Sequence, residues 1–379
     1  MPFVCPVCGN KDPMWIGSIH GKPYCRKCIK FRGEHASELK APSGMVVLDV
    51  SYPLTKAQQN ISNKLVENYK KHIDSLVNAV CGAGKTELVF SVIAYALANK
   101  HRVGFALPRR DVAIELIARF RSAFKENSIV LVMGGETKRL EADIIILTTH
   151  QLFRYPNFFD LLILDEIDAF PYKGNEVLNA LFHNAVRGNH ILMSATPDEQ
   201  TLEEYRKDGR EILELNVRFH NKPLPVPKIE IHSDLTKNLF LKTTLRRFIN
   251  EKKPVFIFTP TIKICEELYH KLSKTFKGGN YVHSKRENRE QIIRSFRNNH
   301  YDYLVTTAVL ERGVTLKNVQ VIIYDADSDI YNEYSLVQIA GRVGRKYDAP
   351  EGEVIFLGLF KTPDMERAIA TIQKRNADL

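Results

Sequence analysis

The residues Ala79-Val80-Cys81-Gly82-Ala83-Gly84-Lys85-Thr86 set two glycines, a lysine and a threonine in the order that a phosphate-binding loop requires. The short apolar segment Ser75-Leu76-Val77-Asn78 precedes them, and Glu87 to Ala98 follows with helical character. In a strand–loop–helix setting, Gly82 and Gly84 let the backbone curl until several N–H groups point inward. Those donors and the positive helix end hold phosphates. Lys85 is expected to reach the β/γ-phosphates of ATP, and the Thr86 hydroxyl to ligate Mg2+. The common pattern GxxxxGK[ST] begins with Gly, where this chain has Ala79.

Further acidic and basic groups complete a phosphoryl-transfer set. Asp165-Glu166-Ile167-Asp168 closes the apolar run Leu161-Leu162-Ile163-Leu164, about eighty residues after Lys85. Asp165 is expected to hold magnesium, directly or through its water, and Glu166 to orient and deprotonate the attacking water. Asp168 is expected to link to the turn Ser194-Ala195-Thr196. Much later, Gln338-Ile339-Ala340-Gly341-Arg342-Val343-Gly344-Arg345 supplies two arginines three residues apart, which share a face if the stretch is helical. A planar guanidinium suits a γ-phosphate better than Lys does. Arg342, Arg345 or both are therefore expected to act as arginine fingers from a second domain, coupling hydrolysis to domain closure. Gln58, ahead of the loop, has an amide that suits the adenine edge, although a surface glutamine at a helix start is the commoner explanation.

Four cysteines, Cys5, Cys8, Cys25 and Cys28, form CxxC, sixteen residues, CxxC. This spacing predicts a structural Zn2+ site saturated by four thiolates, with no open position for catalytic water. Residues 1–40 carry seven Lys/Arg and three acidic residues, with Trp15, Tyr24 and Phe31 among them. Those aromatics suit either stacking on single-stranded nucleic acid or the small core of the module itself. Cys81 and Cys265 have no arrangement for thiol catalysis.

The elements that must position these groups are α/β. Largely apolar strands are expected at 102–107, 129–133, 144–147, 161–164 and 191–193, and again at 255–258, 301–305, 319–324 and 354–357, with helices between them, one of them starting at Thr259. Such strands belong in parallel sheets covered on both faces. Polar residues collect just after the strand ends, where open α/β sheets bind ligands. The expected organisation is a zinc module at 1–40, a first RecA-like domain at 41–215, a proline-rich linker at 216–229 and a second RecA-like domain at 230–379, with ATP between the two.

The chain has 379 residues and a formal charge of +10. Between Thr236 and His300 there are 15 Lys/Arg against 5 Asp/Glu, a net charge equal to that of the whole chain. A polyanionic partner fits this balance. No run approaches the roughly 20 apolar residues of a membrane span, and the N-terminus does not read as a signal peptide. A cytoplasmic protein is expected, with docking at the inner membrane face left open.

The stretches above, in this order, resemble the helicase motifs of superfamily two. Leu54-Thr55 with Gln58 resembles the adenine-reading motif, and Ala79 to Thr86 the first motif, where that family tolerates Ala in the first position. Asp165 to Asp168 and Ser194 to Thr196 match the second and third. Thr306 to Thr315, with Glu311-Arg312-Gly313, resembles the fifth, and Gln338 to Arg345 matches the sixth. Asp165-Glu166-Ile167-Asp168-Ala169-Phe170-Pro171-Tyr172, behind a four-cysteine module, is similar to the late-competence ComFA family. That resemblance implies an ATP-driven motor on single-stranded DNA that works with competence proteins of the uptake machinery. It also implies a DNA track over Arg109, Arg110, Gly135, Thr149, Thr259, Thr306 and Thr307, whose groups suit phosphates and carry no base code. Two readings compete with it: an RNA or duplex-DNA helicase, for example of the PriA restart type, and a scaffold that binds ATP without turnover.

Overall fold

The computed structural model describes residues 3–37, 42–50, 53–135, 137, 139–307 and 316–377. The fifth-motif residues Glu311, Arg312 and Gly313 lie outside the described residues. The chain divides into two compact units, one of residues 1–79 and 84–215, the other of residues 80–83 and 216–379.

The first unit opens with the hairpin β1 (Ile16–Ile19) and β2 (Lys22–Cys25), paired antiparallel. Then come α1 (Lys56–Lys70), β3 (Ser75–Ala79), α2 (Lys85–Leu88), α3 (Phe90–Ala98), β4 (Val103–Leu107), α4 (Arg110–Ala123), β5 (Ile129–Val132) and β6 (Ile144–Thr148). The unit ends with β7 (Phe159–Asp165), α5 (Glu176–Ala185), β8 (Val186–Ser194), α6 (Glu199–Lys207) and β9 (Glu211–Leu215). Seven of these strands form a parallel sheet in the order β5-β6-β4-β7-β8-β3-β9. Its central strands are buried along their length, as their apolar runs require. Leu76, Ala106, Ile145, Leu147, Leu162 and Phe182 share one core on this sheet. The helix α1 begins at a reciprocal cap, in which the Thr55 side chain and the Gln58 side chain each satisfy a backbone N–H of the other.

The second unit holds β10 (Lys228–Ile231), α7 (Asp234–Asn250), β11 (Val255–Phe258), α8 (Ile262–Ser273), β12 (Gly279–Val282), α9 (Arg289–Arg297) and β13 (Tyr303–Thr306). After these come β14 (Gln320–Tyr324), α10 (Glu333–Ala340), β15 (Val354–Gly358) and α11 (Pro363–Asn376). Its six strands are parallel in the order β10-β15-β14-β11-β13-β12. Both units are thus RecA-like α/β layers.

The structure corrects three local expectations. Strand β10 begins at Lys228, so the irregular segment stops before the expected linker end at 229. Thr259 does not start a helix; it is buried at the end of β11, and Thr261 caps α8 instead. Arg342 and Arg345 do not share a helical face. Helix α10 ends at Ala340, and the chain leaves it through a turn whose Gly344 has φ +71°, a left-handed backbone that a continuing α-helix does not contain. Arg342 is buried there, while Arg345 is partly exposed.

Candidate nucleotide and metal sites

The sheet order of the first unit brings three motifs together. Strand β8 lies between β3 and β7, so the C-terminal ends of all three are neighbours. Asn78 pairs with Ser194, and Asp165 with Met193. The phosphate loop, the acidic motif and the serine-threonine turn therefore leave the same edge of one sheet.

Beyond Ala79 the chain turns through Gly82 (φ +85°) and Gly84 (φ +78°) before α2 starts at Lys85. A Cβ at Gly84 would lie 2.7 Å from Gln58 Nε2, so the Gln58 side chain lies directly against the loop. The Gln58 Oε1 atom accepts a hydrogen bond from the Thr55 N–H at 2.9 Å. Thr86 is buried in the first turn of α2.

Asp165 is buried at the end of β7. Burial pushes its carboxyl up to about 6; the Lys85 charge pulls the other way, and the Glu166 charge adds to the rise. A buried carboxylate that lacks full compensation is a fitting partner for a cation, so Asp165 with Thr86 suits Mg2+. Glu166 takes φ +60°, a left-handed backbone that costs an ordinary residue about 1–2 kcal/mol, and its N–H donates to Asp165 Oδ1 at 2.8 Å. Asp168 meets the serine-threonine turn as expected: Ser194 Oγ donates to it at 2.8 Å and Thr196 Oγ1 at 2.6 Å.

The four cysteines converge. The Sγ atoms of Cys5, Cys8, Cys25 and Cys28 all lie within 4.8 Å of one another and form no disulfide. Cys5 and Cys28 stand 3.9 Å apart, and Cys8 and Cys25 3.8 Å. A tetrahedron with zinc–sulfur bonds of about 2.3 Å has edges of about 3.8 Å, so the set fits a structural zinc ion. Burial raises the Cys28 thiol above its ordinary value. At Cys5 burial acts in the same direction, but backbone hydrogen bonds with Cys8 and Val7 outweigh it and hold that thiol low.

This module is docked on the first unit. Phe31 stacks with His150 at 6.0 Å and meets Phe153 at 6.2 Å. Asn184 Nδ2 donates to the Val7 carbonyl at 2.6 Å, and Lys27 pairs with Glu176 at 3.1 Å. Phe31 thus belongs to a packing surface. Trp15 remains 39% exposed, with the Lys27 ammonium over its ring. His150 escaped the sequence reading because its partner Phe31 is distant in the chain and no periodicity links them.

The residues expected along a DNA track fall into two groups. Arg110 and Gly135 are exposed and Thr307 is partly so. Arg109 is half-buried and paired with Asp111 at 3.0 Å. Thr149, Thr259 and Thr306 are fully buried, and Thr259 Oγ1 donates to the Thr306 carbonyl at 3.1 Å. In this arrangement those three hydroxyls face the interior. Arg218, in the segment read as a linker, is also buried; no local signal singles it out, because it belongs to no motif.

Residues 51–199 match the family described as type III restriction enzyme, res subunit, and residues 236–347 match the helicase conserved C-terminal domain. The chain is 34% identical to the competence protein ComFA of Bacillus subtilis, over 99% of this chain and 86% of that protein. It is 33% identical to ComFA of Streptococcus pneumoniae, over 94% of this chain and 87% of that one. Among solved structures, Dbp5 of S. cerevisiae bound to RNA and ADP BeF3 superposes with a TM-score of 0.65 at 17% identity, over 86% of this chain and 92% of that one. That likeness concerns the fold.

Proposed function

Because the chain belongs to the ComFA family of competence proteins and is an ATP-hydrolysing motor of superfamily two, we propose that it moves along single-stranded DNA and assists uptake of transforming DNA together with other competence proteins. The observation that carries the enzymatic part is the shared sheet edge, where β3, β8 and β7 deliver the phosphate loop, Ser194 and Asp165 side by side. Residues 1–40 are taken as a zinc module, with 41–215 and 228–379 as the motor domains and 216–227 between them.

The loop glycines Gly82 and Gly84 and the Lys85 side chain bind the phosphates, and Gln58 takes the adenine edge. Thr86 and Asp165 hold Mg2+, which when bound neutralises phosphate charge. Glu166 orients the attacking water and accepts its proton. Arg342 and Arg345 stabilise charge on the transferring phosphoryl group. Asp168 ties the acidic motif to Ser194 and Thr196, so the arrangement of one follows the other. Arg109, Arg110, Gly135 and Thr307 contribute to the track; the buried hydroxyls of Thr149, Thr259 and Thr306 are not contacts in this arrangement. No helix among the described residues is long and apolar enough to cross a membrane.

Steady-state ATP turnover tests the reading when measured without polymer and with matched single-stranded DNA, duplex DNA and RNA at one low salt concentration, since phosphate contacts weaken steeply with salt. Stimulation by single-stranded DNA above the other two is expected. Equal or greater stimulation by RNA or duplex would sink the single-strand assignment.

A further inference from the structure

Arg218 is 1% exposed. Its Nη1 donates to the carbonyls of Val343 at 2.7 Å and Gly344 at 2.8 Å, and its Nη2 to the carbonyl of Gly341 at 3.1 Å. His220 Nε2 lies 2.8 Å from the same Gly344 oxygen. Arg345 folds back on this turn, its Nε donating to the Gly341 carbonyl at 2.7 Å. Gly341 and Val343 flank Arg342, and Gly344 precedes Arg345. One guanidinium therefore holds the backbone on both sides of the first arginine and just before the second.

The turn leaves no slack. A Cβ at Gly344 would fall 2.2 Å from the Pro350 carbonyl oxygen and 2.9 Å from Arg218 Nη1. Burying a cation against neutral carbonyls is costly. Burial, reinforced by the nearby Arg345 charge, pushes the Arg218 guanidinium down to about 10. A planar fork can serve four carbonyls, those of Gly341, Val343, Gly344 and Cys81, at fixed angles; a lysine ammonium on a flexible stem cannot reproduce that geometry.

We infer that Arg218 is a positioning residue, which fixes the turn of residues 341–345 and thereby presents Arg342 and Arg345 to the triphosphate. This rests on the assignment of those two arginines given under Proposed function. Arg218 touches no reacting atom; it acts through them, and its Nε also donates to the Cys81 carbonyl of the phosphate loop at 3.1 Å.

The test is a kinetic cycle on the full chain, with R218Q, R218K, R342Q, R345Q and the double variant R218Q/R345Q, under saturating single-stranded DNA. R218Q is expected to lower kcat on the order of 100-fold, with KM for ATP moved by less than about threefold, the pattern of an interaction made in the transition state. R218K, folded to wild-type helicity by circular dichroism, is expected to recover less than about a tenth of the lost rate, because it keeps the charge and loses the fork. The double variant should be no slower than the slower single variant, whereas a merely structural residue gives multiplying losses. Wild-type kcat in R218K overturns the inference, and so does full multiplicativity with R345Q. Wild-type kcat in both R342Q and R345Q instead overturns the arginine assignment, and this inference with it.

Discussion

Asp168 holds Thr196 directly, through a hydrogen bond of 2.6 Å from the threonine hydroxyl to its carboxylate, while the other oxygen takes the Ser194 hydroxyl at 2.8 Å. The acidic motif and the serine-threonine turn are therefore one bonded unit at the ends of neighbouring strands. Hydrogen bonds to a charged acceptor contribute about 1.5–3 kcal/mol each. Thr196→Val is expected to lower the unfolding free energy within that range while ATP binding persists. Urea unfolding followed through Trp15, the single tryptophan, checks this; an unchanged midpoint counts against the clasp.

Glu166→Gln keeps the size of the side chain and removes its basicity. Nucleotide binding should stay within a few-fold of wild type, and turnover should fall at least about 100-fold. Equilibrium binding of a fluorescent ATP analogue and steady-state ATPase separate the two effects. Wild-type turnover in E166Q would refute the assignment of the base.

The cysteine cluster predicts one bound zinc ion per chain, measured by elemental analysis on protein purified under reducing conditions. Cys28→Ser should lose the metal. Because Phe31 and Val7 pack on the core of the first unit, metal loss should also lower the melting temperature of the full chain. Stoichiometric zinc in wild type with an unchanged melting temperature in C28S would show that the docking is not needed for stability.

His190 supplies a pH dependence. It is 4% exposed, its Nε2 meets the Tyr205 hydroxyl at 2.8 Å, and its Nδ1 lies 3.2 Å from Asp74. Burial is the main cause that depresses its pKa to about 4 from 6.5; Asp74 opposes the shift, and His183 and Arg210 reinforce it. Between those values the unfolded chain binds a proton that the folded chain refuses. Stability is therefore intact above pH 6.5 and lost progressively toward pH 4, by up to about 3 kcal/mol. Urea unfolding of wild type and His190→Gln at pH 7.5 and pH 5 should show a smaller acid loss in the variant; parallel losses would exclude His190 as the source.

Much of the site was legible because its chemistry is local. The spacing of Gly82, Gly84, Lys85 and Thr86 carries its own backbone geometry, and Asp165 announces itself as a carboxylate at the end of an apolar strand. The CxxC pairs name their own ligand set. Central strands such as β4 and β6 were readable because burial on both faces leaves an uninterrupted apolar run. Strands β9, β10 and β12 were not, because polar residues break the apolar run in each of them, whereas β5, also at a sheet edge, keeps an unbroken run.

The amino-acid sequence by itself determined the fold class, the phosphate loop, the acidic motif and the four thiolates, since each depends on residues near one another in the chain. Only the tertiary structure decided that β8 separates β3 from β7, that Phe31 docks on His150, that Thr149, Thr259 and Thr306 point inward, and that Arg218 holds the turn around Arg342. Strand order, burial and long-range hydrogen bonds arise from pairings between distant segments, and those pairings are chosen by how whole faces pack, a quantity no local spacing records.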